Sequence, residues 1–182
     1  MSDPIDRDFS LVGRAADGDR AAFDELWHEY QPRLLRYLSS LGLRDGDDVA
    51  AQTWMEAFQA LGSLDDRPGS FRRLLFTIAR RRMVDETRRR TRYVEAQPPD
   101  EVAASAEFEV MEVGAALELL ACLPPAQAEV LALRVVGGFS ASEVGEITGQ
   151  TEGAVRVMAH RALSTLRADM ATESSEPYVR TE

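Results

Sequence analysis

Several common sequence features are missing from this chain of 182 residues. It has one cysteine, Cys122, which excludes internal disulfides and cysteine-based zinc clusters. No apolar run approaches the ~18 residues that a membrane span needs, and the acidic N-terminus lacks the basic and apolar parts of a secretory signal. No stretch shows the alternating pattern of a strand. These absences favour an all-α protein that stays in a reducing cytoplasm.

Lysine is also absent, since all 21 basic residues are arginine, and 31 acidic residues bring the net charge to −10. An acidic balance argues against a nucleic-acid partner, because phosphate binding needs basic surface. The charges are unevenly placed, however. Nine arginines lie between Phe71 and Arg92, with only Asp85 and Glu86 opposing them, whereas residues 93–113 hold six acids and no base. The negative net charge of the whole chain therefore does not exclude a basic segment that suits a polyanionic partner.

Apolar residues at helical spacing divide the chain into two small helical domains joined by a flexible acidic linker. We expect an N-terminal extension at 1–18, a first domain at 19–92, the linker at 93–113, a second domain at 114–170 and a disordered tail at 171–182. Asp19 is expected to cap the first helix and Pro32 to start a second one. A third helix follows Asp45, and the basic fourth helix runs from Phe71 to about Arg92.

The strongest local pattern runs from Phe139 to Arg156 and is typical of a helix-turn-helix. Ser140 and Glu143 predict a capping box, Gly149 a tight turn and Thr151 the cap of the second helix. On that helix one side is apolar and the other carries arginine and histidine, which suits readout of base edges in a major groove. The alternative is an ordinary helical hairpin with a solvated charged face.

The arginine-dense helix is the second pattern. Its apolar residues share one side, and Arg73, Arg80, Arg81 and Arg88 fall on the opposite side. Such a charge run is often only a solvated face, but nine arginines in 22 residues repel one another, and a polyanionic partner would offset that repulsion.

Three acids precede the third helix, at Asp45, Asp47 and Asp48. Paired carboxylates can bind a metal or act in acid–base chemistry, but acids just before a helix are more often caps and favourable partners of its dipole. We therefore favour capping or protein contact, and expect no cofactor.

Taken together, these segments resemble the extracytoplasmic-function sigma factors of bacterial RNA polymerase. Residues 23–92 resemble their region-two domain, and the segment from Leu123-Pro124-Pro125 to His160-Arg161-Ala162 resembles their region-four domain. The sequence departs from the usual family pattern at Leu74, at Arg81 and at positions 49–52. Two rival functions stay open: a dimeric DNA-binding regulator, and an enzyme acting on nucleic acid, for which no convincing catalytic set is present.

The resemblance implies a cytoplasmic protein without catalytic activity, monomeric when free, that binds the β′ and β subunits of core RNA polymerase and promoter DNA. It also implies control by an anti-sigma factor. The residues expected to contact core polymerase are Asp45, Asp47, Asp48, Gln52 and Trp54. Those expected at the minus-ten element are Arg67, Arg73, Arg80, Arg81, Asp85, Arg88 and Arg89. Those expected at the minus-thirty-five element are Thr151, Glu152, Arg156, Val157, His160 and Arg161.

Overall fold

The architecture is helical throughout the part of the chain that the computed structural model describes, residues 11–43, 46–64, 69–95, 119–120 and 122–173. No strand occurs in these ranges, which confirms the all-α prediction. Residues 11–16 are helical, and a single 3₁₀ turn at Leu61–Ser63 follows the second long helix. The long helices are α1 (Arg20–Ser40), α2 (Gly46–Ala60), α3 (Ser70–Glu95), α4 (Pro125–Val135), α5 (Ala141–Thr148) and α6 (Glu152–Glu173).

Helix α1 is longer than predicted. Asp19 caps it as expected, because its carboxylate accepts the N–H groups of Ala21 and Ala22. The predicted break at Pro32 is wrong, since the helix continues through the proline to Ser40. An internal proline removes one backbone hydrogen bond, and burial of apolar residues on both sides of Pro32 offsets that loss. These buried residues are Leu26, Tyr30, Leu34, Tyr37 and Leu38.

Aromatic side chains organise the core of α1 to α3. The indole Nε1 of Trp54 donates to Oε1 of Gln31 at 2.7 Å, so the one polar atom of this buried ring has a partner. The Trp54 ring centroid lies 4.9 Å from that of Trp27 and 5.8 Å from that of Phe71. Such pairs stabilise a core beyond the area that they bury. They fix the side of α2 that faces inward.

Helices α4 to α6 contain the predicted helix-turn-helix. The Ser140 hydroxyl accepts the N–H of Glu143, and the Glu143 carboxylate accepts the N–H of Ser140, which confirms the capping box. Gly149 ends α5 with φ of 74°, a left-handed conformation that favours glycine. At Gly145 a Cβ atom would lie 2.7 Å from the carbonyl oxygen of Gln150, so only glycine lets the turn pack this closely.

The two groups of helices pack against each other, which the sequence did not predict. The ring of Phe76 on α3 lies 5.2 Å from the ring of Phe139, between α4 and α5, and both side chains are buried. One continuous buried cluster includes residues of α1 to α3 together with Val130 and Leu133 of α4. The first and second helical groups therefore share a core in this conformation.

Some predicted boundaries shift and others cannot be compared. Helix α3 continues past Arg92 to Glu95, and α6 continues past the expected end of the second domain at 170 to Glu173. The N-terminal residues 1–10, most of the expected linker and the tail from 174 onward lie outside the described residues. Cys122 is exposed and lies in the turn that precedes α4.

Candidate nucleic-acid interface

Helix α6 has one buried side and one open side. Val155 and Ala162 are fully buried and hold the helix against the rest of the helix-turn-helix. The opposite side carries two arginines, a histidine and a valine, and the Arg156 side chain is 71% exposed. This face presents guanidinium and imidazole groups to solvent, as major-groove readout requires. Its exposed residues are Arg156, Val157, His160 and Arg161.

The side chains of two residues at the start of α6 form hydrogen bonds with other residues of the same helix. The Thr151 hydroxyl accepts the N–H of Ala154 at 3.2 Å, which confirms Thr151 as the cap. The Glu152 carboxylate accepts a hydrogen bond from the guanidinium of Arg156, one turn further along. Glu152 therefore restricts where Arg156 can point.

Sequence reasoning missed Arg134, near the end of α4. Arg134 lines the same groove as Ser140, Glu152 and Arg156, and one of its Nη atoms donates to the carbonyl oxygen of Phe139 at 3.2 Å. No local pattern marks this position, because the groove forms only when α4 packs beside α6. Arg134 adds a cation beside the open face of α6.

The arginines of α3 are not a uniformly solvated face. Arg73, which was expected at DNA, lies 3.8 Å from a carboxylate oxygen of Glu143 and 3.4 Å from one of Glu146, both on α5. Arg80, also expected at DNA, donates to Glu129 of α4 at 2.8 Å. In this conformation both arginines face the second helical group.

Arg81 and Arg82 instead tie α3 to α2. Both guanidinium groups donate to the carboxylate of Glu56, and Arg82 also donates to Oε1 of Gln52 at 3.3 Å. The hydrogen bond from Arg81, with further help from Arg82, holds the pKa of the Glu56 carboxyl below its ordinary value. Glu56 therefore stays ionised and fixes the two helices side by side.

A shallow polar groove lies between α2 and the middle of α3. Its lining includes two residues expected at the polymerase, Asp48 and Gln52, and two expected at the minus-ten element, Asp85 and Arg89. The Arg89 side chain is 77% exposed and pairs with Glu86. The structure thus brings together two predicted sets that lie more than 30 residues apart.

The remaining predicted residues fall into three groups. Asp47 and Arg88 have exposed side chains. Trp54, expected to contact the polymerase, is buried in the aromatic core in this conformation. Asp45 and Arg67 lie outside the described residues.

Within the described ranges, no group of three or more His, Cys, Asp or Glu residues could hold a metal ion. None of the helices described is long and apolar enough to cross a membrane.

Comparison with known protein families identifies the family of this chain. Residues 26–93 match sigma-70 region 2, and residues 114–166 match sigma-70 region 4. The ECF RNA polymerase sigma factor ShbA of Streptomyces griseus is 35% identical over 177 residues, covering 87% of this chain and 93% of that protein. This chain belongs to the ECF sigma factors. It is therefore a factor of transcription initiation.

Other ECF sigma factors show a comparable likeness. SigD of Mycobacterium tuberculosis is 35% identical over 176 residues, covering 88% of this chain and 82% of that protein. The solved structure of CnrH in complex with the cytosolic domain of CnrY has 28% identity and a TM-score of 0.68, covering 91% of this chain and 98% of that one. RpoE of Bartonella quintana, solved with the anti-sigma factor NepR, shares the fold at 24% identity and a TM-score of 0.66, covering 80% of this chain and 94% of that one.

Proposed function

We propose that this ECF sigma factor reads promoter DNA with two separate arginine-bearing surfaces while its first helical group binds core RNA polymerase. The observation that carries the proposal is the open face of α6, which a capped helix-turn-helix holds away from the core. The factor works in the cytoplasm, with no cofactor and no chemical step of its own.

The polymerase-binding surface is the outer face of α2. Asp47, Asp48 and Gln52 have exposed side chains at its start. Exposed Met55 and Phe58, whose side chains are 66% and 49% exposed, continue the outer surface toward the end of the helix. Apolar groups beside carboxylates suit a protein partner better than DNA, since DNA would repel the carboxylates.

The minus-ten element is bound by α3 and by residues 63–70 at and before its start. Arg81, Asp85, Arg88 and Arg89 are exposed on this helix. Opening the duplex costs a few kcal/mol per flipped base, and contacts to phosphates and to the displaced base must offset it. Arg73 and Arg80 belong to this set once they leave their acidic partners on α4 and α5.

The minus-thirty-five element is read by α6. Arg156 and Arg161 can each form a bidentate contact with guanine, while the exposed Val157 suits a thymine methyl group. Thr151 and Glu152 fix the start of the helix and the direction of Arg156, and His160 lies between the two arginines. Contact by these residues would set sequence preference.

An anti-sigma factor is the expected inhibitor. Support comes from the similar protein RpoE, which was solved with the anti-sigma factor NepR. Co-purification from cells, followed by identification of the bound polypeptides, tests this part of the proposal.

Run-off transcription tests the whole proposal. The purified chain is added to core polymerase across a promoter library, and we expect transcripts from one promoter class that depend on the chain. Absence of any dependence would overturn the function.

Two rival functions predict different results in binding and cleavage experiments. A self-sufficient regulator would bind duplex DNA as a dimer without associating with core polymerase, and a nucleic-acid enzyme would alter the DNA covalently. Size-exclusion chromatography with core polymerase, together with gel analysis of the recovered DNA, separates these cases.

A further inference from the structure

Glu56 on α2 lies between two arginines of α3. An Nη atom of Arg81 donates to one carboxylate oxygen of Glu56, and the Nε and Nη2 atoms of Arg82 donate to the other oxygen at 3.2 and 3.0 Å. The Glu56 side chain is only 27% exposed. Both oxygens of this carboxylate are therefore engaged by adjacent residues of the neighbouring helix.

The two arginines differ in how fully they are bound to α2. Arg82 also donates from its Nη1 atom to Oε1 of Gln52 at 3.3 Å, so three of its nitrogens contact residues one turn apart on α2. The Arg81 side chain is 59% exposed, against 39% for Arg82. Arginine has five N–H donors in a fixed fork, and a single bond to Glu56 uses only one of them. Arg81 is therefore held at one arm and is still open to a partner.

Arg73 and Arg80 show the opposite arrangement on the same helix. Their side chains are 20% and 30% exposed and face carboxylates of α5 and α4. In those pairs the acid covers the arginine, whereas Glu56 holds Arg81 from the side of α2 and leaves it exposed. Glu56 therefore affects the direction of Arg81 more than its availability.

An arginine that is held in place loses less freedom when it binds DNA than a mobile one. A long exposed side chain samples many rotamers, and the entropy lost on binding weakens its contacts. Arg82 fixes Glu56 from the other side, so the carboxylate that anchors Arg81 is itself restrained. The hydrogen bond from Arg81, followed by that from Arg82, lowers the pKa of Glu56, which keeps the carboxylate ionised at neutral pH.

Glu56 also lies beside the surface proposed to bind polymerase. On α2 it follows Gln52 by one helical turn, and the preceding residue, Met55, is 66% exposed. The carboxylate thus connects the helix proposed to dock on polymerase with an arginine proposed to contact the minus-ten element. Docking of α2 would fix the anchor of Arg81 within the polymerase complex.

We propose that Glu56 is a positioning residue for promoter recognition, which orients Arg81 from α2 toward the minus-ten strand. The inference rests on the proposed function, because Glu56 acts only through the contact of Arg81 with DNA. A chain without this carboxylate would keep the arginine but lose its fixed direction.

The test measures promoter opening by the polymerase complex assembled with the full chain. The DNA is the most responsive promoter of the run-off library, with a fluorescent purine analogue in the minus-ten element that brightens when the bases unstack. Glu56→Ala should slow opening about fivefold, because Arg81 must then be ordered during binding. Affinity for core polymerase should equal that of the unsubstituted chain.

A double-mutant cycle separates positioning from a merely structural role. Arg81→Gln removes the guanidinium group, and Glu56→Ala should not slow opening further in that background. If Glu56 acted only by tying α2 to α3 through Arg82, its removal would slow opening equally whether or not Arg81 is present. Equal slowing in both backgrounds would therefore overturn the inference.

Glu29→Ala is the matched control. Glu29 pairs with Arg33, one turn further along α1, at 2.8 Å, so this variant also removes one charge and releases one arginine. Its opening rate should equal that of the unsubstituted chain. If Glu56→Ala opens the promoter as fast as this control or faster, the inference is refuted, because the carboxylate would then have no effect on Arg81 or would compete with DNA for it.

Folding and function are checked separately. Circular dichroism tests whether each variant is folded, and Glu56→Gln, which keeps one acceptor but loses the charge, replaces the alanine variant if that protein does not fold. A chain that supports transcription from no promoter would remove the proposed function and the inference together. Normal opening with Arg81→Gln would remove the minus-ten role of Arg81 and the inference with it. Slow opening with Arg81→Gln but not with Glu56→Ala would remove the inference alone.

Discussion

Two arginine-bearing helices of this factor, α3 and α6, hold their cations in opposite ways. On α3, Arg73 and Arg80 face carboxylates of another domain. On α6, Arg156 pairs with Glu152, one turn away in the same helix, and its side chain stays 71% exposed. The difference teaches that an arginine-rich segment is not by itself an open DNA surface. What faces it in the fold decides whether it is available.

Removal of the ring contact between Phe76 of α3 and Phe139 should give the largest effect. Phe76→Ala deletes a fully buried ring that packs on Phe139, and we expect a loss of about 3–5 kcal/mol in the free energy of unfolding. Chemical denaturation measures this loss. Phe58→Ala makes the same change at a ring that is 49% exposed and should cost much less. Equal losses would show that burial of Phe76 in the shared core adds nothing to the free energy of unfolding.

The two helices should also differ in how their arginines affect DNA binding. Arg156→Ala should change the preferred base at one position by about 1–3 kcal/mol, because guanine contacts specify sequence. Arg89→Ala should weaken binding to all promoters alike, because phosphate contacts carry no sequence information. Binding of the polymerase complex across a promoter library measures both. The same pattern of change from both variants would contradict the assigned roles.

Loss of the Ser140 cap in the helix-turn-helix should give a smaller effect. Ser140→Ala removes the hydroxyl that accepts the Glu143 N–H, and we expect a loss of about 1 kcal/mol in the free energy of unfolding. Ser164→Ala, in the exposed interior of α6, is the matched control and should cause no loss. A Ser140 variant as stable as this control would mean that the cap does not support α5.

Low pH should slightly weaken the ion pairs between Glu143 of α5 and the arginines of α3. Burial would raise the pKa of Glu143, but hydrogen bonding with Ser140 and the Arg72 guanidinium hold it below the ordinary value of 4.5. Arg73 and Glu146 also lie near this carboxylate. A carboxyl with a lowered pKa in the folded state stabilises the fold above its unfolded pKa, and this stability is lost as pH falls through the lowered value.

The expected loss is under about 1 kcal/mol, because Glu143 is partly exposed and solvent screens the pair. Denaturation at neutral pH and at about pH 4 measures it, and Glu143→Gln is the comparison. The stability of that variant should change less between the two pH values. An identical pH dependence in both proteins would exclude this carboxylate as the source.

Local pattern predicted most of the helices and the exposed face of α6. The capping box at Ser140 and the cap at Thr151 are formed by residues within three positions of each other, so the sequence alone specifies them. Pro32 shows where local rules fail. Its effect on the backbone is local, but the burial on both sides that keeps α1 continuous comes from distant helices.

The candidate site residues also divide into those that local pattern predicts and those that depend on tertiary packing. The exposed side of α6 follows from the 3.6-residue period, because the apolar residues that anchor the helix mark its other side. The position of Arg134 beside α6 and the burial of Trp54 depend on which helices pack together. The spacing of residues along the chain does not predict that packing.

The sequence by itself determined two helical groups, their caps and an excess of arginine on α3, since each depends on residues within a few turns of one another. Only the tertiary structure decided that Arg73 and Arg80 meet acids that follow them by 49 to 73 positions. The physical reason is that charge along a chain fixes how strongly groups can attract or repel. Folding fixes which of them come within reach.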